Sequence, residues 1–301
     1  MGPVSPLADQ AAIDTPLVRE LVDSQFPQWA ALPLEPVTSG GKCNAIYRLG
    51  PALSVRLSLW SPGADVVHRE QEKLATLAPF LPVAIPAVEA IGSATDAFPG
   101  EWSVHRWLTG THPALDALVD PHGLATDLAT FVQAFRRIDL PDRPPTYPGE
   151  RRTRAPMDSM DSATREAIGG LDGLIDTRAA LASWEESLAA PYDGHEVWVH
   201  SDLMPSNMLV SPEGRLTAVL DFETSGLGDP ACDLFPAWYL LPANLRGNFR
   251  AALDVDDASW IRGRGRVLSQ ALIVLQHSKD TNPAYANNAR HAIREVLATP
   301  L

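Results

Sequence analysis

The chain has little cysteine: Cys43 and Cys232 are its only two thiols in 301 residues. Two cysteines isolated in sequence cannot build the disulfide framework of a small secreted scaffold. Cationic residues are also scarce, with 24 Lys and Arg against 37 Asp and Glu and a formal net charge of −13. Binding along a phosphate backbone draws on clustered cationic surface, so no nucleic-acid partner is expected. Long apolar runs are missing as well. The longest, Leu74 to Gly92, is broken by Pro79, Pro82, Pro86 and Glu89, whereas a membrane-spanning helix needs about 20 consecutive apolar residues. No membrane partner is expected. Met1 to Gln10 shows neither a basic segment nor an apolar one, so no secretory or transit signal is read there and the expected compartment is the cytoplasm.

What the chain does have is enough apolar material, 45% of its residues, for one large domain or two lobes. Asp14-Thr15-Pro16 ahead of Leu17, Val18, Leu21 and Val22 reads as a capped helix start. The turn Thr38 to Gly41 precedes a hairpin of Ala45 to Leu49 and Leu53 to Leu59. In the second of these strands Leu53, Val55, Leu57 and Leu59 alternate with Ser54, Arg56 and Ser58. Alternation sends the leucines and valine to one face and leaves Arg56 on the other, between two small serines. A helix is expected over 64–78, a strand over Trp102 to Leu108, and a second helix over Leu115 to Ile138. The proline-rich stretch Asp139 to Pro156 reads as a connection. Glu196 to His200 and Leu216 to Phe222 read as short strands flanking a turn at Pro212-Glu213-Gly214, and from Ala231 onward the pattern is mostly helical. The class expected is α+β, with a β-rich front and a larger α-rich back.

The informative stretch is His200-Ser201-Asp202-Leu203-Met204-Pro205-Ser206-Asn207, with Asp221-Phe222 at the end of the next strand. Phosphoryl transfer needs a carboxylate to orient and deprotonate the attacking hydroxyl, and hard oxygen ligands to hold Mg²⁺ against a triphosphate. Asp202, Asn207 and Asp221 supply these groups at the spacing of a kinase catalytic loop. Taken singly, Asp202 and Asn207 suit ordinary turn positions; the joint spacing is what carries the reading. A zinc site from His195, His200 and Asp202 fits by residue type but lacks a fourth ligand at familiar spacing. Cys232 reads as a small buried residue.

The region from Val199 to Leu241 resembles the aminoglycoside phosphotransferase family, whose catalytic loop usually reads His-Gly-Asp-Leu-x-Pro-x-Asn. Gly228-Asp229-Pro230-Ala231-Cys232-Asp233-Leu234 is similar to that family's Gly-Asp-Pro-x-x-Asp-Leu stretch, and Trp102 to Gly110 is similar to its hinge. The resemblance implies a bilobal, protein-kinase-like fold, with a nucleotide-binding lobe over 1–107 and a catalytic and substrate-binding lobe over 108–301. It implies Asp202 as catalytic base, Asn207 and Asp221 as Mg²⁺ ligands, and Glu70 as the helix carboxylate anchoring a phosphate-binding cation. It places adenine against backbone groups near Arg106 and Leu108, makes Asp229 and Asp233 structural, and names ATP or GTP as the phosphoryl donor and a small-molecule hydroxyl as the acceptor.

Two positions depart from the family. Arg56 stands where kinases usually have lysine; it is either the phosphate ligand or an exposed strand residue, and Lys42 is the nearest substitute. The turn carrying Gly40 and Gly41 is not a full Gly-x-Gly-x-x-Gly. For the acceptor, Asp142 to Glu196 holds eleven carboxylates against six arginines, while Leu241 to Leu301 holds eight basic residues against five acidic ones. The first balance favours an amine-bearing antibiotic, and the second limits how cationic it can be. A macrolide, a metabolic alcohol, or a nucleotide-binding pseudokinase without transfer are the alternatives.

Overall fold

A computed structural model of the chain describes residues 13–37, 44–59, 66–140 and 156–298. These divide into two compact units, one of residues 1–79 and 84–109, the other of residues 80–83 and 110–301. Gly40, Gly41, Lys42 and Cys43 lie outside the described residues.

The first unit begins with helix α1 (Thr15–Gln25), whose N-cap Asp14 accepts a hydrogen bond from the Leu17 amide. Strands β1 (Leu34–Pro36), β2 (Asn44–Leu49) and β3 (Leu53–Ser58) follow, then helix α2 (Val66–Leu77) and strands β4 (Val88–Gly92) and β5 (Trp102–Arg106). They form one antiparallel sheet in the order β1-β2-β3-β5-β4. The alternation in β3 sorts as expected: Val55 and Leu57 are buried opposite Val104 and Trp102 of β5 and pack with Val18, Leu21 and Val22 of α1. The other face carries Ser54 and Arg56 opposite His105 and Ser103.

The second unit is mainly helical. Helix α3 (Pro121–Arg136) starts later than the sequence suggests, because Asp120 caps it through the Gly123 amide and Pro121 takes its first position. Helices α4 (Met157–Gly170) and α5 (Thr177–Ala189) are followed by strands β6 (Val197–Val199), β7 (Met208–Val210), β8 (Leu216–Val219) and β9 (Gly226–Gly228). The hairpin across Pro212-Glu213-Gly214 is β7 with β8, whereas β6 pairs with β9. The helices α6 (Pro236–Tyr239), α7 (Ala243–Ala252), α8 (Asp257–Ser278) and α9 (Pro283–Leu297) complete the unit. Helix α8 packs against α4, α5, α6 and α9. Its Arg262-Gly263-Arg264-Gly265-Arg266 run permits that: a Cβ on Gly265 would come within 2.3 Å of the Ser187 Cβ of α5, and one on Gly263 within 2.6 Å of Leu234. Among the described residues no helix is long and apolar enough to cross a membrane.

Candidate active site

The β7–β8 hairpin explains why Asn207 and Asp221 meet. Asn207 immediately precedes β7, the ladder pairs Met208 with Val219, and the Leu220 amide donates to the Asn207 carbonyl at 2.8 Å. The next residue is Asp221, held at φ 61°, a left-handed conformation that aspartate tolerates better than most side chains. A 3-10 turn, Pro205–Asn207, then swings Asn207 back toward Asp202. The Asn207 Nδ2 donates to the Asp202 Oδ2 at 2.8 Å and to the Asp202 carbonyl at 2.9 Å. With its amide nitrogen committed to Asp202, Asn207 keeps its Oδ1 for another partner. That oxygen and the exposed Asp221 carboxylate are hard donors of the kind Mg²⁺ takes, so the residues present fit the ion.

Burial pushes the Asp202 carboxyl up to about 6, and the nearby Asp221 carboxylate adds to the rise; hydrogen bonds from Gln270 and Asn207 oppose it. Gln270, on α8, places its Nε2 3.4 Å from the Asp202 Oδ1 and 3.4 Å from the Met204 Sδ. The sequence reading missed this contact, since no motif or spacing ties a glutamine near the chain end to a loop before β7.

The loop itself is anchored from below. Asp233 is fully buried and accepts the amides of His200 at 3.1 Å and Ser201 at 2.7 Å. Ser201 has φ 65° where the related loops usually carry glycine; its Oγ donates to the Thr224 carbonyl and holds the strained residue in place. His200 is buried against Phe222, with ring centroids 4.7 Å apart; its Nδ1 accepts the Asp202 amide, and its Nε2 lies 2.9 Å from the Leu220 carbonyl. With both ring nitrogens engaged internally, His200 is no zinc ligand, and among the described residues no cluster of three or more His, Cys, Asp or Glu is arranged to hold a metal. Asp229 caps the next turn through the Ala231 amide and takes the Arg262 guanidinium in a fork of 2.8 and 3.0 Å, both partners buried. Cys232 is a buried free thiol.

In the first unit, Arg56 of β3 and Glu70 of α2 form an ion pair at 2.8 Å. Beside them His105 is buried and held neutral, pulled down to about 4 mainly by burial, with Glu70 raising it and Arg56 lowering it. Its Nε2 lies 2.8 Å from the Ser103 Oγ. Arg56 is thus partly buried and paired rather than a loose surface residue. The Arg106 side chain turns outward to Glu89 at 2.7 Å, and its amide is taken by the Ala87 carbonyl; Leu108 lies just past β5, half-buried.

Among the described residues, part of the local charge is paired inside the second unit. Asp161 and Glu185 pair with Arg165, Asp176 caps α5, and Glu186 pairs with Arg264. On the basic side Arg262 and Arg266 lie against Asp229, and Arg246 against Glu295.

Residues 35–268 match the model of a family described as the phosphotransferase enzyme family. No curated protein matches the chain in sequence. Among solved structures, the GDP and kanamycin complex of APH(2")-IIia superposes with a TM-score of 0.70 at 18% identity, covering 94% of this chain and 99% of that one. The streptomycin-ATP-APH(2")-IIa ternary complex gives 0.60 at 16% identity, over 95% and 97%. The macrolide 2'-phosphotransferase MphH from Brachybacterium faecium gives 0.57 at 21% identity, over 94% and 99%. At these identities the likeness is one of fold.

Proposed function

We propose, since this chain belongs to the phosphotransferase enzyme family, that it transfers the γ-phosphoryl group of ATP or GTP to a hydroxyl of a small natural product. The observation that carries this reading is the hydrogen-bonded pair of Asp202 and Asn207 with Asp221 brought beside it by the β7–β8 hairpin. Asp202 is the base: half-buried and held by two amides, it accepts the proton of the acceptor hydroxyl as that oxygen attacks. The Asn207 Oδ1 and the Asp221 carboxylate would hold Mg²⁺, which when bound offsets the charge of the triphosphate. Arg56, oriented by Glu70, binds phosphate oxygens with its planar fork. The base of the nucleotide rests near the β5 end, by Arg106 and Leu108. Support for an antibiotic alcohol as acceptor comes from proteins of similar fold, which hold kanamycin with GDP or streptomycin with ATP.

A panel of aminoglycosides, macrolides and simple metabolic alcohols, incubated with Mg·ATP or Mg·GTP and read by mass, tests the proposal. Gain of one phosphoryl group by at least one alcohol is the expected result; nucleotide binding with no acceptor in the panel modified would favour a binding module without transfer.

Two further outcomes follow from the geometry. Arg56→Ala should raise the nucleotide KM about tenfold or more, and Arg56→Lys should recover part of the loss, since charge survives without the fork. An unchanged KM for Arg56→Ala, with Lys42→Ala crippled, would move the phosphate contact to the glycine turn. The second outcome is a pH limb. Asp202 works only ionised, and its carboxyl is raised to about 6, so kcat/KM should climb through that region and level off above it. A cation on Asp221 removes part of the repulsion and draws the limb lower, so raising Mg²⁺ should shift it toward acid. A rate flat between about pH 5 and about pH 8 would contradict Asp202 as the base.

A further inference from the structure

We propose that Gln270 is a two-ended contact of the acceptor site: its nitrogen positions Asp202, and its carbonyl oxygen accepts a hydrogen bond from the hydroxyl or amine on the carbon next to the reacting alcohol. The inference rests on Asp202 being the base and adds a substrate class, the vicinal diol or vicinal amino alcohol.

The argument begins with the polarity of the amide. An ionised carboxylate offers only acceptors, so the group that faces it must be the Gln270 NH₂ and not the carbonyl, which would set two oxygens against each other. The nitrogen sits 3.4 Å from the Asp202 Oδ1 and 3.4 Å from the Met204 Sδ, so both N–H groups have partners. Asn207 Nδ2 holds the other oxygen, Asp202 Oδ2, at 2.8 Å. Two amides therefore grip the carboxylate, one at each oxygen. The grip is unequal: the Asn207 bond is short and the Gln270 contact long, which leaves Oδ1 the freer oxygen to receive a proton. Nearby, the buried Tyr239 hydroxyl feels the Asp202 charge yet has no hydrogen-bond partner among the described residues. The carboxylate is thus held by the amides and not by the phenol.

The Gln270 Oε1 has no partner among the described residues and is not sealed from solvent. It lies one amide width from the nitrogen that touches Asp202. A ring hydroxyl donating to the Asp202 Oδ1 brings the substituent on the adjacent carbon within reach of this oxygen, and only a donor there satisfies it. One turn further along α8, Ile273 and Val274 are half-buried on the same stripe, at the helical spacing that places them beside Gln270. They offer apolar contact to the body of a ring.

The test uses the intact enzyme with Mg·ATP and Mg·GTP and three small probes: trans-2-aminocyclohexanol, trans-cyclohexane-1,2-diol and cyclohexanol. Wild type should use the first two with kcat/KM at least about tenfold above cyclohexanol, which lacks the neighbouring donor. Gln270→Met, which removes both ends, should erase that preference and lower kcat on all three about tenfold while leaving the nucleotide KM unchanged. Gln270→Glu keeps an acceptor but loses the donor to Asp202, so it should retain the preference and still lose kcat; this separates the two ends and guards against a variant that merely folds poorly. Equal use of cyclohexanol by wild type, turnover of none of the three alongside Mg-nucleotide hydrolysis, or a Gln270→Met enzyme with preference and kcat intact would each overturn the inference. Absence of both nucleotide hydrolysis and nucleotide binding in wild type would instead sink the phosphotransfer reading beneath it.

Discussion

Asp202→Ala is expected to lower transfer by about three orders of magnitude while Mg-dependent nucleotide binding stays within about twofold of wild type. The size follows from what the side chain does. A positioned base contributes roughly two to four orders of magnitude, and no neighbour can replace this one. His200 has both ring nitrogens engaged, and Asp221 is the proposed Mg²⁺ ligand. The selectivity follows from what Asp202 touches: its contacts are Asn207 and Gln270, while Arg56, the proposed phosphate cation, pairs with Glu70. Asp221→Ala should lose Mg-dependent nucleotide binding together with transfer, so the pair of variants separates base from metal ligand. Isothermal titration with a non-hydrolysable nucleotide, run beside product formation, reads both. An Asp202→Ala enzyme at near wild-type turnover would remove the assigned base.

The second large effect is on stability. Asp229→Ala should destabilise the fold by about 3–5 kcal/mol, because it leaves the buried Arg262 guanidinium without its fork partner and removes the carboxylate 3.7 Å from Arg266. The same change removes the cap on the turn that leads to Asp233 and hence to the His200 and Ser201 amides. Replacing both ends together, Asp229→Leu with Arg262→Met, should restore part of the lost stability, since the Arg262 charge goes with its partner while Arg266 still loses the carboxylate. Chemical denaturation measures this directly. A single Asp229→Ala change costing under about 1 kcal/mol would mean that the pair is solvated.

Much of this was legible in the sequence, and the parts that were not share a cause. The alternation Leu53, Val55, Leu57 placed Arg56 on the polar face of β3, and period-two patterning is sufficient for that because a strand has only two faces. Asp202, Asn207 and Asp221 were readable because the loop is short and the hairpin after it fixes where its ends meet. The periodicity that begins at Leu115 runs ahead of α3 because it says nothing about where a cap and a proline start the hydrogen-bonded turns. The pairing of β6 with β9 across the whole β7–β8 hairpin is a nonlocal choice that neighbouring residues do not encode. Gln270 and the buried arginines of α8 fail for the same reason. A charge count treats Arg262, Arg264 and Arg266 as surface, whereas two flanking glycines let the helix approach its neighbours and bury them on Asp229 and Glu186.

The stereochemical course at the γ-phosphorus tests the central claim most directly. With a nucleotide made chiral at that phosphorus by oxygen isotopes and an acceptor identified from the panel, transfer by a hydroxyl that Asp202 deprotonates is a single in-line displacement. The product should show inversion. Retention would mean two displacements through a phosphorylated side chain, with Asp202 attacking phosphorus itself, and would contradict its assignment as a base.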